Sequence, residues 1–201
     1  MKSISDYKDM ALQSLEGNWA KAAIASLITF GIMEICGSSP SFFLEPVSGV
    51  IGQGLITILL FPLAWGYYVF FLRLIRQENT DYTSLFDGFN QYVHILVAEM
   101  LKGIYVLLWS LLLIVPGIIK NYSYAMMEFL LKDHPEMSGE EAIRESMRMM
   151  EGHKMQLFLL DLSMIGWFLL SLLTVGIGFL FLVPYMYSAH AHFYEDLKAG
   201  R

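Results

Sequence analysis

Hydrophobic residues in this chain form six runs, which are separated by shorter segments rich in charged and polar residues. Runs of about 20 apolar residues are typical of helices that cross a membrane. The predicted membrane helices cover residues 19–36, 50–72, 92–115, 118–132, 155–173 and 179–194. The fourth run is the shortest, and it can also be interpreted as a helix that stays at the membrane surface. The pattern therefore predicts an all-α polytopic bundle of six spans, with five spans as the alternative.

Two polar segments have the periodicity of an amphipathic helix. Residues 1–18 place apolar side chains on one side of an N-terminal helix. In residues 138–150, Ser138 is followed three residues later by Glu141, the spacing of a capping box, and alanine, isoleucine and methionine side chains then share one face. Such a helix either lies in the headgroup layer with its apolar face down or packs on a partner or on the protein's own membrane helices.

The distribution of lysine and arginine decides between five and six spans, because cytoplasmic loops carry an excess of these residues. If the N-terminus is cytoplasmic, six spans leave only Lys120 outside. Five spans would move a larger set outside: Lys120, Lys132, Arg144, Arg148, Lys154, Lys198 and Arg201. Acid-glycine pairs at residues 16–17, 87–88 and 151–152 each precede a span. We therefore predict three helical hairpins, with both termini and the amphipathic helices in the cytoplasm.

Composition agrees with a membrane location. Hydrophobic residues make up 56% of the chain and charged residues 16%, and the mean hydropathy is +0.51. A chain this apolar cannot cover a water-soluble surface with polar groups, so residues 1–201 are predicted to form a single integral membrane domain. The net charge of −6 and the lack of a basic stripe argue against a nucleic-acid partner. With Cys36 as its one cysteine, the chain has no intramolecular disulfide and no multi-cysteine metal motif.

Four charged residues fall inside the predicted spans, near the cytoplasmic ends: Glu99, Lys102, Glu128 and Asp161. Charges at the centre of a membrane helix cost roughly 2.5–3.5 kcal/mol each on insertion scales, so they usually pair or face a watery cavity. Two interpretations stay open for this candidate polar cluster. The charges either pair and reach water at the helix ends, or form a site for a substrate or a proton. Lys102 with Asp161 or with Glu99 is the first pair to test.

The sequence contains no recognisable catalytic arrangement. His190 and His192 diverge by about 200 degrees on a helix and cannot ligate one metal together. No serine has the context of a nucleophile elbow, and no glycine-rich phosphate loop follows a strand. We therefore predict no catalytic residue, no metal site and no cofactor.

The second half of the chain resembles a known family. The stretch from Ile114 to Trp167, together with residues 176–178 (GIG) and Pro184-Tyr185, closely resembles the bacterial integral membrane family catalogued as domain of unknown function 975. The proline-glycine turn and the helix with alanine, isoleucine, serine and methionine are more distantly similar to the membrane domain of some glycerophosphodiester phosphodiesterases. That domain is the non-catalytic part of those enzymes. The resemblance implies a multi-pass protein of the bacterial inner membrane and assigns no activity.

These observations favour a non-enzymatic protein that organises or assists other membrane components. Its partners would be the lipid bilayer and other membrane proteins, and its cytoplasmic amphipathic helices would be the contact surface. The alternative is a small transporter or lipid-handling protein in which the four intramembrane charges line a polar cleft.

Overall fold

A computed structural model describes residues 2–43, 46–174 and 176–200, with side chains described outside residues 37–53. The described part of the chain consists of helices joined by turns and loops and contains no strand, so the all-α class is confirmed. The elements are α1 (Ile4–Leu15), α2 (Trp19–Phe43), α3 (Pro46–Ile75), a 3-10 helix (Tyr82–Gln91), α4 (Tyr92–Leu112), α5 (Ile114–Ser123), α6 (Met127–Asp133), α7 (Gly139–Met149), α8 (Lys154–Leu162), α9 (Ile165–Leu173) and α10 (Phe179–Ala199).

Four helical stretches of the described residues are long and apolar enough to cross a membrane. They are Trp19–Cys36, Gly54–Ile75, Tyr82–Leu112 and Lys154–Leu173. Large apolar side chains on these stretches point outward: Leu111 is 75% exposed and Leu173 is 81% exposed. Outward-facing leucines at this density are stable in lipid rather than in water. The chain is therefore an integral membrane protein.

Helix α4 ends three residues before the end of the predicted third span, residues 92–115. Helix α4 ends at Leu112, and Leu113 is extended, with φ −161° and ψ 141°. Pro116 then lies in the first turn of α5, where its missing N–H is not needed for an intrahelical bond. Gly117 lets α5 return close to α4, because a Cβ at this position would lie 2.9 Å from the Cα of Ser110. The proline thus helps to start the returning helix instead of ending the preceding one.

Two of the predicted spans are not single helices. Residues 118–132 are divided between α5 and α6 by a turn at residues 124–126, and residues 155–173 are divided between α8 and α9 at residues 163–164. Side-chain hydroxyls stabilise both breaks. Ser146 bonds the backbone on both sides of the first turn, and Ser163 bonds the carbonyl of Leu160 at the second. Serine hydroxyls compete with the helical ladder for backbone groups in this way.

Two of the three acid-glycine pairs, at residues 16–17 and 151–152, lie in turns. Gly17 and Gly152 have φ of +76° and +78°, a left-handed conformation that glycine adopts without a steric penalty. Gly88 differs, because it lies within the 3-10 helix against α3. A Cβ there would lie 2.4 Å from the carbonyl oxygen of Pro62. Gly88 therefore serves close packing instead of a turn.

The short helices α1 and α7 both pack on the protein's own helices. In α1, Tyr7 is fully buried, its ring lies 5.1 Å from that of Phe193, and its hydroxyl donates to Asp196 at 2.6 Å. Ser14 reaches His192 at 2.7 Å, so α1 and α10 run in opposite directions. In α7, the buried residues are Gly139, Ala142, Ile143, Ser146 and Met149. The apolar faces of α1 and α7 are thus covered by protein.

Candidate functional site

Lys102 of α4 and Glu128 of α6 form an ion pair in the interior of the bundle. The Lys102 ammonium donates a hydrogen bond to Oε1 of Glu128. The Lys102 side chain is 16% exposed and the Glu128 side chain 2% exposed. Burial strengthens the attraction between the two charges, and it makes the loss of either partner costly. Two of the sequence-predicted residues, 26 positions apart, are therefore direct partners.

The backbone carbonyl and the side chain of Glu128 bond to different helices. Its backbone carbonyl accepts a hydrogen bond of 3.0 Å from the indole Nε1 of Trp65 on α3. Glu128 lies in the first turn of α6, where a carboxylate is stabilised by the helix dipole. The second carboxylate oxygen, Oε2, is fully buried and has no hydrogen-bond partner within the described part of the chain. Glu128 thus links three helices, α4 through its side chain and α3 through its backbone, while its side-chain Oε2 accepts no hydrogen bond from the described residues.

Glu99 and two tyrosines complete this group of side chains. Glu99 precedes Lys102 by three residues on the same face of α4, and it interacts electrostatically with both Lys102 and Glu128. The hydroxyls of Tyr68 and Tyr187 are hydrogen-bonded to each other, and both tyrosines interact with the same carboxylates. We call these five residues, Tyr68, Glu99, Lys102, Glu128 and Tyr187, the Lys102 cluster.

Asp161 lies in a different group. Its carboxylate contacts Nε2 of His190 at 2.6 Å and accepts a hydrogen bond of 3.0 Å from the hydroxyl of Tyr122. The pairing of Lys102 with Asp161 considered from the sequence is therefore not the pairing observed. His190 and Tyr122 were not predicted as partners of Asp161. No sequence spacing connects Asp161 to residues 29 and 39 positions away, so periodicity alone could not have found them.

A third polar group is centred on Asp133, where α6 ends. The guanidinium of Arg76 donates two hydrogen bonds to the Asp133 carboxylate, at 2.6 and 2.7 Å. Lys198 and Tyr194 donate to the same carboxylate at 2.7 and 2.9 Å. Burial alone would raise the pKa of Asp133, but these hydrogen bonds and the adjacent positive charges lower it well below the usual range. The group joins the C-terminal ends of α3, α6 and α10.

An apolar cavity of about 340 Å³ lies between the end of α1, the start of α2, and the pair α9 and α10. Its walls include Trp19, Trp167, Leu170, Phe181, Leu182 and Tyr185. The hydroxyls of Ser171 and Thr174 at its edge donate to carbonyls of their own segment. None of the four intramembrane charges predicted from the sequence lines this cavity.

The described residues contain no group of three or more histidine, cysteine, aspartate or glutamate side chains arranged to hold a metal ion. The Lys102 cluster brings together two carboxylates, one ammonium and two phenols. Such a set can hold and transfer protons.

Comparison with known families gives a match along the whole length of the chain. The family described as "Protein of unknown function (DUF975)" matches residues 1–120 and residues 110–201. No curated protein and no solved structure matches the chain.

Proposed function

The chain belongs to the DUF975 family, and from that premise we propose that it is a non-enzymatic protein that organises or assists other components of the membrane. The arrangement of α7 carries this proposal. Its apolar side is covered by the protein's own helices, with Ala142 fully buried and Ile143 2% exposed. Its opposite side is consequently held in a fixed orientation toward solvent.

The outer side of α7 is an array of charges of both signs. The side chains of Arg144 and Arg148 are each 70% exposed and pair along the helix with Glu140 and Glu145. Both side chains of the Arg144–Glu140 pair are exposed, and such a pair stabilises a helix by only about 0.3–0.5 kcal/mol. This pair can therefore be exchanged for a pair with a partner at little cost. A rigid, charged, exposed helix face suits the recognition of another protein.

The intramembrane charges also favour an accessory role over transport. Lys102 and Glu128 bond each other directly, and Asp161 bonds His190. Charges that pair in this way stabilise a closed bundle. A polar transport path requires charged side chains that face an open cleft.

The topology that we propose has six spans in three hairpins, with both termini in the cytoplasm of a bacterial inner membrane. The positive-inside distribution supports it. The close contact between α4 and α5 at Gly117 supports a chain that reverses there. On this proposal, the fourth span covers residues 118–132, within α5 and α6, and α7 lies on the cytoplasmic side.

The test places a photo-crosslinking amino acid at position 144, on the outer side of α7, in intact cells. Position 16, which is exposed at the end of α1, is the matched control. We expect a discrete protein adduct from position 144, none from position 16, and loss of the adduct when Arg148 is changed to glutamate. A deletion phenotype should then be complemented by the Lys102→Met and Asp161→Asn variants, and not by the Arg144→Glu/Arg148→Glu variant. The opposite complementation pattern would favour transport.

The apolar cavity favours lipid handling as a second candidate function. Its volume of about 340 Å³ lies at the lower end of the roughly 300–1,000 Å³ typical of ligand pockets. Since the hydroxyls at its edge are already bonded, the occupant would be a hydrocarbon chain. Mass spectrometry of lipids retained by the purified protein tests this function. A Leu182→Trp change, which fills the cavity, should reduce retention of a specific lipid, and unchanged retention would count against it.

A further inference from the structure

The Lys102 cluster has an unbalanced charge. If its two carboxyl groups and its amino group were all ionised, Glu99 and Glu128 would contribute two negative charges and Lys102 one positive charge. Glu128 is 1% exposed, and the cluster lies among the helices of a membrane protein. An unpaired charge in such surroundings costs many kcal/mol, so buried groups usually become neutral instead. The cluster therefore needs one additional positive charge.

One carboxylate oxygen marks where that charge would be held. Oε1 of Glu128 accepts from Lys102, whereas Oε2 is fully buried without a hydrogen-bond partner among the described residues. A buried acceptor without a donor is destabilising. Glu99, which interacts electrostatically with Glu128, is the other carboxylate of the cluster.

The surroundings favour a proton over a metal cation. Hard cations need several oxygen ligands, but the Lys102 ammonium already occupies one side of Glu128 and would repel a second cation. Among the described residues, Tyr68 from α3 and Tyr187 from α10 also interact with the carboxylates, and their hydroxyls are bonded to each other. A proton needs no coordination shell and can be held by two carboxylates.

We propose that the Lys102 cluster is a proton-binding site, which holds one proton on the Glu99–Glu128 carboxyl pair at neutral pH. The proton comes from water and forms an O–H bond with a carboxylate oxygen, so that two acids and one ammonium become a neutral group. This site goes beyond the accessory function proposed above and does not depend on it. Because the ion pair between Glu128 and Lys102 joins α6 to α4, the charge state of the cluster also affects how α6 is held against α4.

Infrared spectroscopy of the full chain in lipid nanodiscs tests the proposal. The carbonyl stretch of a protonated carboxyl group is distinct from that of a carboxylate, and it shifts on exchange into D₂O. We expect this band in the wild-type protein at neutral pH. The charge count further predicts its loss in Glu99→Gln and in Glu128→Gln, because each variant leaves one carboxylate to balance Lys102. Lys102→Met should increase the band by about twofold, since two acids then remain without a base. Asp161→Asn is the control, because Asp161 contacts His190 and lies outside the Lys102 cluster. This variant should retain the band.

Three results would overturn the assignment. A wild-type spectrum without the band at neutral pH would show that no carboxyl group is protonated, and this measurement requires no variant to fold. A band that persists in both glutamine variants, each verified as monodisperse and helical, would belong to other residues. A band that disappears when Na⁺ or K⁺ is added would identify a metal cation, instead of a proton, as the bound charge.

Discussion

Ser146 Oγ donates a hydrogen bond of 2.9 Å to the backbone carbonyl of Ser123. The same hydroxyl accepts a hydrogen bond of 3.1 Å from the backbone N–H of Met126. Ser123 ends α5 and Met126 precedes α6, so one side chain of α7 satisfies the backbone on both sides of the break between them. The orientation of the charged side of α7 therefore depends on this serine.

Replacing Ser146 with alanine should destabilise the protein by about 2 kcal/mol, because a buried carbonyl and a buried N–H both lose their partner. Thermal unfolding in detergent measures the change. Ser163→Ala is the matched control, since its hydroxyl bonds only a carbonyl of its own segment on the exposed side of the bundle, and it should cost less than about 0.5 kcal/mol. Equal effects of the two changes would contradict the role given to Ser146.

Gly139 lies where α7 begins, directly against α4. A Cβ at this position would lie 2.6 Å from the Cα of Ala98 and 2.8 Å from its Cβ. Gly139→Ala should therefore displace the start of α7 and destabilise the fold by about 1–3 kcal/mol. Gly103→Ala is the control, in α4, the helix that Gly139 contacts. It meets no atom within 4 Å, and we expect it to be neutral or to stabilise by about 0.4–1 kcal/mol. Unfolding midpoints that respond equally to both changes would refute the close contact.

The Asp133 group should make the stability of the fold depend on pH in the acidic range. The folded protein lowers the pKa of Asp133 below its ordinary value of 3.8. A lowered pKa adds stability that is fully present above the ordinary value and is lost as the pH falls toward the folded-state value. The wild-type unfolding midpoint should therefore fall more steeply between about pH 5 and pH 2 than that of Asp133→Asn.

At neutral pH the Asp133→Asn variant should itself be less stable by about 1–3 kcal/mol, because a charged acceptor shared by three donors is lost. Glu140→Gln, which removes an exposed pair on α7, should change stability by less than about 0.5 kcal/mol. Parallel pH profiles for the wild type and Asp133→Asn would show that Asp133 does not contribute this stability.

Cysteine labelling tests the six-span topology. In a Cys36→Ser background, Glu140→Cys should not react with a membrane-impermeant maleimide in intact cells, and it should react after the membrane is permeabilised. Position 140 is suitable because its side chain is 56% exposed, whereas the neighbouring Gly139 is buried. Labelling of position 140 from outside would rule out a cytoplasmic α7.

Local features of the fold were predictable from sequence because they depend on residues close together in the chain. The spacing of Ser138 and Glu141 predicts a capping box, and both of its hydrogen bonds are present. The same logic applies to Gly17 and Gly152, whose conformation follows from the absence of a side chain. Long apolar runs likewise identify a membrane protein, because the hydropathy of a run does not depend on which helices it contacts.

Features that depend on how the helices face each other were not predictable. The break at residues 124–126 depends on Ser146, 20 residues later in the chain. Among the four charged residues in the predicted spans, periodicity places Glu99 and Lys102 on one face of α4. It does not determine which face of another helix meets them, so the choice of Glu128 over Asp161 follows from tertiary packing alone.

The contact between α1 and α10 has a consequence for biosynthesis. Tyr7 and Asp196 are separated by 189 residues. At a translation rate of roughly 5–20 residues per second, Asp196 emerges roughly 10–40 s after Tyr7. Until then the apolar side of α1 has no permanent cover, so the nascent chain must be shielded by lipid, by a chaperone or by the insertion machinery. A ribosome that stops before α10 would release a product with this surface exposed, which makes incomplete chains recognisable to quality-control proteases.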